Sequence, residues 1–214
     1  MRVLAIETAS EACSVALFEG QDLIAHDYRE IGRGHAEQLL PMISQLPEKG
    51  KAERILVSLG PGSFTGARIG IAAARALGFA WDAEVLGYPT LALVAAMAQA
   101  RHRQPVTVCV TGGHGEWFIQ NFNSEGQPEA ELASLTPAIA KAQANHTTVC
   151  GSKAQELANI SNPDYFTVIS NLPDASGVTR LPHNLLTRTL KPIYGRAPDA
   201  KPQPMVMKNK VNST

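Results

Sequence analysis

The sequence predicts an α/β protein built as two unequal halves, and three observations carry that reading. Short apolar runs rich in strand formers alternate with stretches of helical periodicity. Along residues 1–103 the order is three strands, then helix, strand, helix, strand and helix. Residues 104–200 repeat a reduced version of that order, and residues 201–214 read as a flexible tail. With 44% apolar residues in 214, there is material for a real core in one large domain or two small ones.

Residues 3–7 form an apolar run that ends at the polar cluster Glu7-Thr8-Ala9-Ser10. A second run covers 13–18 and a weaker one 23–29, separated by the turn signal Glu19-Gly20-Gln21-Asp22, which predicts an antiparallel meander. Behind the flexible Gly32-Arg33-Gly34, the residues Leu39, Leu40, Ile43 and Leu46 recur at helical spacing. Pro41 predicts either a kink in that helix or its start. Residues 54–59 form a compact strand that runs into Gly60-Pro61-Gly62-Ser63-Phe64-Thr65-Gly66, followed by an Ala- and Gly-rich buried helix over 67–82. Its Gly70, Ala72, Ala73, Ala74, Ala76 and Gly78 allow close approach of another helix. A strand over 84–87 and a helix over 91–100 complete the half.

The polar stretch Arg101-His102-Arg103-Gln104-Pro105 marks the boundary. Strands at 106–110 and 116–122 flank a turn at 112–115. Thr136-Pro137 opens a short helix to about residue 144. A strand at 147–150, a helix at 152–160 and a strand at 165–169 follow. From Lys191 four prolines precede a polar end, which predicts an extended chain.

Lys plus Arg and Asp plus Glu are balanced at 19 each, so no basic excess marks a protein that grips nucleic acid alone. The three cysteines, Cys13, Cys109 and Cys150, lie among apolar residues with no Cys-x-x-Cys pair, and read as buried small hydrophobes. An acidic residue arrives at position 7, too early for a signal peptide, and no apolar run is long enough for a bilayer, so the expectation is cytoplasmic. The six histidines contain no pair at i, i+3 or i, i+4, so no metal site is expected. No catalytic nucleophile or base can be named from order alone.

The loop from Gly60 to Gly66 carries the strongest chemical signal. Between a strand and a helix it aims backbone N–H groups and the positive helix end at one point, which suits phosphate or carboxylate. Gly60, Gly62, Ser63 and Gly66, with Glu7, Thr8 and Ser10 after the first strand, are the candidate phosphate or nucleotide residues. The loop lacks both the Walker A lysine and the Gly-x-Gly-x-x-Gly spacing. A tight turn packing strand against helix, and a capped turn at residues 7–10, account for the same residues.

Leu4-Ala5-Ile6-Glu7-Thr8-Ala9-Ser10 and Gly34-His35-Ala36-Glu37-Gln38-Leu39-Leu40-Pro41 resemble the opening of the TsaB (YeaZ) family. Gly60-Pro61-Gly62-Ser63-Phe64-Thr65-Gly66-Ala67-Arg68-Ile69-Gly70 is similar to that family's most specific motif, and Lys191-Pro192-Ile193-Tyr194-Gly195-Arg196-Ala197-Pro198-Asp199-Ala200 to its C-terminal signature. The likeness is continuous to about Leu93 and patchy beyond. It implies an actin/hexokinase-like (ASKHA) fold of two RNase H-like halves, the second reduced. It implies a non-catalytic subunit that dimerises with TsaD in making threonylcarbamoyladenosine beside the tRNA anticodon. TsaE joins the pair, tRNA is met only through the complex, and ATP or ADP binds at a complex interface. Alone, the same face would form a homodimer. His35, Leu39, Leu40, Ile43, Ile69, Ala73 and Leu77 become the candidate partner interface.

In TsaD a His-x-x-x-His pair holds a metal; the resemblance puts Thr90 and Val94 at those positions here, so the metal centre is missing. The chain also departs from the TsaB pattern. Thr111-Gly112-Gly113-His114-Gly115-Glu116 stands where an Asp-Ala-Arg type stretch is usual, Glu7 where Asp is frequent, and Ala67 where Leu is. The resemblance therefore carries over no nucleotide or RNA contact from the second half. Two enzymes compete with the subunit reading. One is an ATPase or phosphotransferase of the same fold with Glu7 on magnesium, the other a metallopeptidase, for which no ligand set is present.

Overall fold

In the computed structural model, which describes residues 1–100 and 103–195, the strand β1 (Arg2–Glu7) runs through the centre of the first sheet. It carries no polar residue between Val3 and Ile6, as a strand covered on both faces requires. It pairs antiparallel with β2 (Ala12–Glu19), which pairs antiparallel with β3 (Asp22–Glu30). On its other side it pairs parallel with β4 (Arg54–Ser58), which pairs parallel with β5 (Glu84–Tyr88). The order is therefore β3-β2-β1-β4-β5.

Strand alternation divides the core. Leu4, Ile6, Val15, Leu17, Ile55 and Val57 meet α1 (His35–Gln45) and α2 (Phe64–Trp81) on one face. Val3, Ala5, Ala16, Phe18 and Leu56 meet α3 (Thr90–Ala98) on the other. From Thr90 to Ala96 α3 is buried all round, because the second half covers its far side.

That second half repeats the arrangement. β6 (Val106–Thr111), β7 (Trp117–Phe122), β8 (Ala133–Leu135), β9 (Thr148–Cys150) and β10 (Thr167–Ile169) lie in the order β10-β9-β6-β7-β8. Read from the other edge, this is the order of the first sheet. Val106, Val108, Val110, Phe118 and Phe122 face α3, while Cys109, Trp117, Ile119 and Val149 face α4 (Pro137–Gln143) and α5 (Ala154–Ser161). The reduction is visible in β8, β9 and β10, each of three residues.

Several expectations need correction. α1 begins at His35 and continues through Pro41, so it does not start at the proline. α2 begins at Phe64, three residues before the predicted start at 67, because Ser63 caps it by accepting a 3.1 Å hydrogen bond from Gly66 N. The strand predicted over 165–169 is Thr167–Ile169, since Asn162 turns Pro163–Tyr165 into a 3-10 segment. β8 and the 3-10 segment Ala175–Arg180 had no periodic signal. The latter wedges between the halves, and Ala175 N donates to Ser14 Oγ at 2.9 Å. The chain then returns to the first half, where Gly87 and Thr187 form a bridge and Ile193 N donates to Leu59 O. The predicted boundary residues Arg101 and His102 and the tail of 201–214 lie outside the described residues.

Candidate functional site

The glycine loop docks on the turn that follows β1. Ser63 N donates to Ala9 O at 2.7 Å, and Thr8 Oγ1 donates to Gly66 O at 2.8 Å. Side chains would not fit here. A Cβ on Gly62 would stand 1.9 Å from Ala9 O, one on Gly66 2.0 Å from Thr8 O, and one on Gly60 3.2 Å from Ile193 O. Gly60 and Gly62 also hold φ values of 89° and 153°, in the range that favours glycine. The three glycines thus have packing reasons, and Ser63 has a capping one.

Glu7 and Thr8 are fully buried, while Ser10 is half-buried. Ala9 N donates to Glu7 Oε1 at 2.7 Å, and Tyr88 Oη, which donates to Ile6 O, lies 3.4 Å from Glu7 Oε2. Burial raises the Glu7 carboxyl to about 7, against the hydrogen bonds from Ala9, Ser58 and Tyr88 that oppose the shift. This carboxyl is fully buried and is not among the described residues that line the cleft between the halves. Ser10 Oγ accepts from Ala12 N at 3.0 Å and so caps its own turn.

A cleft of about 390 Å³ opens between the halves, lined by Ser10, Glu11, Gly62, Ser63, Thr111, Gly112 and Ser152 among others. It lies where the turn after β1 faces the turn after β6. Among the described residues its lining contains Glu11 and no Lys, Arg or His. Thr111 N and Ser152 Oγ satisfy each other at 3.0 Å. The described lining residues thus supply no positive side-chain charge to balance a triphosphate. Among the described residues no group of three or more His, Cys, Asp or Glu side chains converges. No described helix is long and apolar enough to cross a membrane.

The candidate interface residues separate into two sets. His35, Leu39 and Ile43 belong to the chain's own core, and His35 Nε2 lies 3.2 Å from Ala12 O. As contacts for a partner these three are corrected, because their own sheet already covers them. Leu40 is 54% exposed, and Ile69, Ala73 and Leu77 are half-buried along the seam between α1 and α2. Ala72 and Ala76, already marked by the sequence as permitting close helix approach, and Ala80, which sequence reasoning did not single out, extend that seam into solvent. Phe64, Arg68, Phe79 and Tyr194 were missed as well. A helical wheel of α2 with the buried glycines turned inward would have placed the first three outside.

A comparison with known proteins fits this geometry. The family described as "TsaD: tRNA N6-adenosine threonylcarbamoyltransferase" matches residues 29–168. The tRNA threonylcarbamoyladenosine biosynthesis protein TsaB of Escherichia coli K12 is 41% identical over 100 residues, 44% of this chain and 43% of that one. Its Bacillus subtilis 168 namesake is 29% identical over 109 residues, 48% and 46% of the two chains. The chain thus spans under half the length of these curated relatives. A Pseudomonas aeruginosa crystal structure, described as having similarity to peptidase YEAZ, superposes with a TM-score of 0.77 at 26% identity, covering 91% of this chain and 99% of that one. The chain belongs to the TsaB (YeaZ) family.

Its fold is actin/hexokinase-like, shared with the ethanolamine utilization protein EutJ of Carboxydothermus hydrogenoformans (TM-score 0.51, 11% identity, 85% and 90% covered). Within this TsaB-family chain, Thr90 and Val94 open α3 and are buried. Thr90 Oγ1 lies 2.5 Å from Ser58 Oγ, so the hydroxyl is already engaged inside the protein.

Proposed function

We propose that the chain serves tRNA threonylcarbamoyladenosine biosynthesis as a non-catalytic subunit that pairs with TsaD. The observation that carries this reading is the seam between α1 and α2. There Leu40 stands 54% exposed beside the exposed Ala72, Ala76 and Ala80. Side chains this small let a partner's helices approach closely, and a contiguous apolar strip of this kind is a usual docking surface. TsaE joins the pair, tRNA is met through the complex, and any ATP or ADP draws its balancing charge from a partner at the interface. Without TsaD the same seam closes on a second copy. The compartment is the cytoplasm.

A lone ATPase or phosphotransferase fits less well, since Glu7 is buried and the described residues of the cleft lining offer no cation. The test is co-purification with TsaD from the same genome, with transfer to tRNA assayed with and without this chain. Ala76→Arg places a charge on the exposed seam. It should abolish the complex, a loss of at least tenfold in affinity, while the variant melts like the parent protein. Retention of TsaD by the variant would sink the placement, and ATP turnover by the chain alone would favour the enzyme.

A further inference from the structure

α2 exposes a second strip, distinct from the alanine seam. Phe64, Arg68, Arg75 and Phe79 fall within about 60° of one another on the helix and span about 22 Å. All four are exposed, Phe79 to 94% and Phe64 to 54%. Tyr194, 49% exposed, joins them from the returning C-terminal segment, its ring centroid 5.4 Å from that of Phe64.

The two guanidinium groups are held by neutral acceptors. Arg68 stacks 3.6 Å over the Phe64 ring and donates from Nη2 and Nε to Tyr194 Oη at 2.8 and 3.2 Å. Arg75 Nη2 donates to Leu190 O at 2.8 Å. By contrast Arg2, Arg29, Arg54 and Arg188 each pair with a carboxylate. Neither Arg68 nor Arg75 forms an ion pair among the described residues, and the exposed Lys191 follows Leu190 in the chain. The charge on this strip is fixed in direction and uncompensated.

Oriented guanidinium groups interleaved with open aromatic faces are the combination that binds single-stranded nucleic acid. The charges take phosphates, and the rings take bases without regard to sequence. An acidic protein partner would use the charges alone and leaves the exposure of Phe79 unexplained. We infer that the strip Phe64, Arg68, Arg75, Phe79 and Tyr194 is an RNA contact, lying beside the partner seam on the same helix. The choice of tRNA as the RNA rests on the function proposed above.

The test titrates an unmodified tRNA transcript against the full chain, alone and with TsaD, over a series of salt concentrations. Arg68→Gln with Arg75→Gln should weaken binding about tenfold and reduce the slope of log K against log salt by about 1.4, at about 0.7 per phosphate contact. Phe79→Ser should cost a few-fold with the slope unchanged. Arg75→Gln gives up only an exposed hydrogen bond to Leu190 O, and Phe79→Ser a side chain that is almost fully exposed, so they stand in if the Arg68 substitution unfolds the chain. Arg103→Gln, at an exposed arginine away from the strip that forms no ion pair among the described residues, should bind as the parent does. The inference falls if the strip variants keep parental affinity and slope, if Arg103→Gln loses as much as they do, or if the parent binds no RNA. Strip variants that bind RNA normally but release TsaD would make this a protein contact. If the parent captures no TsaD, the subunit reading fails, and the titration of the chain alone still decides the RNA contact.

Discussion

Glu7 closes a strand whose preceding residues are apolar, so sequence reading placed it at a polar turn open to ligand. The side chain instead points inward to the Ala9 amide and Tyr88, a partner 81 positions away in sequence. Nothing local to residue 7 reports that contact, whereas the buried state of Cys13, Cys109 and Cys150 was legible from their apolar neighbours. Burial raises the Glu7 carboxyl from 4.5 to about 7. Between those values the folded chain keeps a proton that the unfolded chain has released. Its contribution to stability is therefore full below about pH 4.5, declines as pH rises to about 7, and is flat beyond. The loss amounts to at most about 3 kcal/mol, at 1.36 kcal/mol for each pH unit. Glu7→Gln should remove this dependence. Denaturant unfolding at pH 5 and pH 8 should show the variant gaining on the parent at the higher pH. An equal difference at both values would mean that another group titrates.

At the scale of the element, α2 shows how far a motif reads without its neighbours. The sequence placed a glycine loop between strand and helix, and that arrangement is present. The helix start was missed by three residues because Ser63 works as a cap, which the Gly-rich surroundings concealed. The loop's anion reading and its packing reading rest on the same glycines, and only the distances to Thr8 and Ala9 supply the second. Gly66→Ala sets a methyl group 2.0 Å from Thr8 O, a backbone atom that cannot move without shifting the turn. It should destabilise the fold by about 3 kcal/mol or more. Ser63→Ala removes only the cap and should cost about 1 kcal/mol. Equilibrium unfolding of the two variants should give that order, and a Gly66→Ala protein as stable as Ser63→Ala would mean that the loop is free to move.

For the whole molecule, the repeated strand order was visible along the chain, but the way the halves join was not. Periodicity reports each element's own face, and the joining contacts are long-range. α3 is counted with the first half by sequence, yet it shares one buried cluster with Val106, Val108, Phe118 and Phe122 as well as with Ala5, Ala16 and Phe18. The segment after β10 lacks regular alternation, so neither the wedge at Ala175–Arg180 nor the return to Gly87 and Leu59 was predictable. One core cluster shared by both sheets should make the halves unfold together. Trp81 ends α2 in the first half and Trp117 begins β7 in the second, which gives each half its own reporter. Trp81→Phe and Trp117→Phe variants leave a single tryptophan apiece. Each fluorescence transition should coincide with the far-UV circular dichroism transition of the same variant, since a common core leaves no state in which one half alone survives. A fluorescence midpoint that departs from the circular dichroism midpoint in either variant would mean that α3 holds more tightly to one sheet, and that the other half can open while the seam on α1 and α2 stays folded.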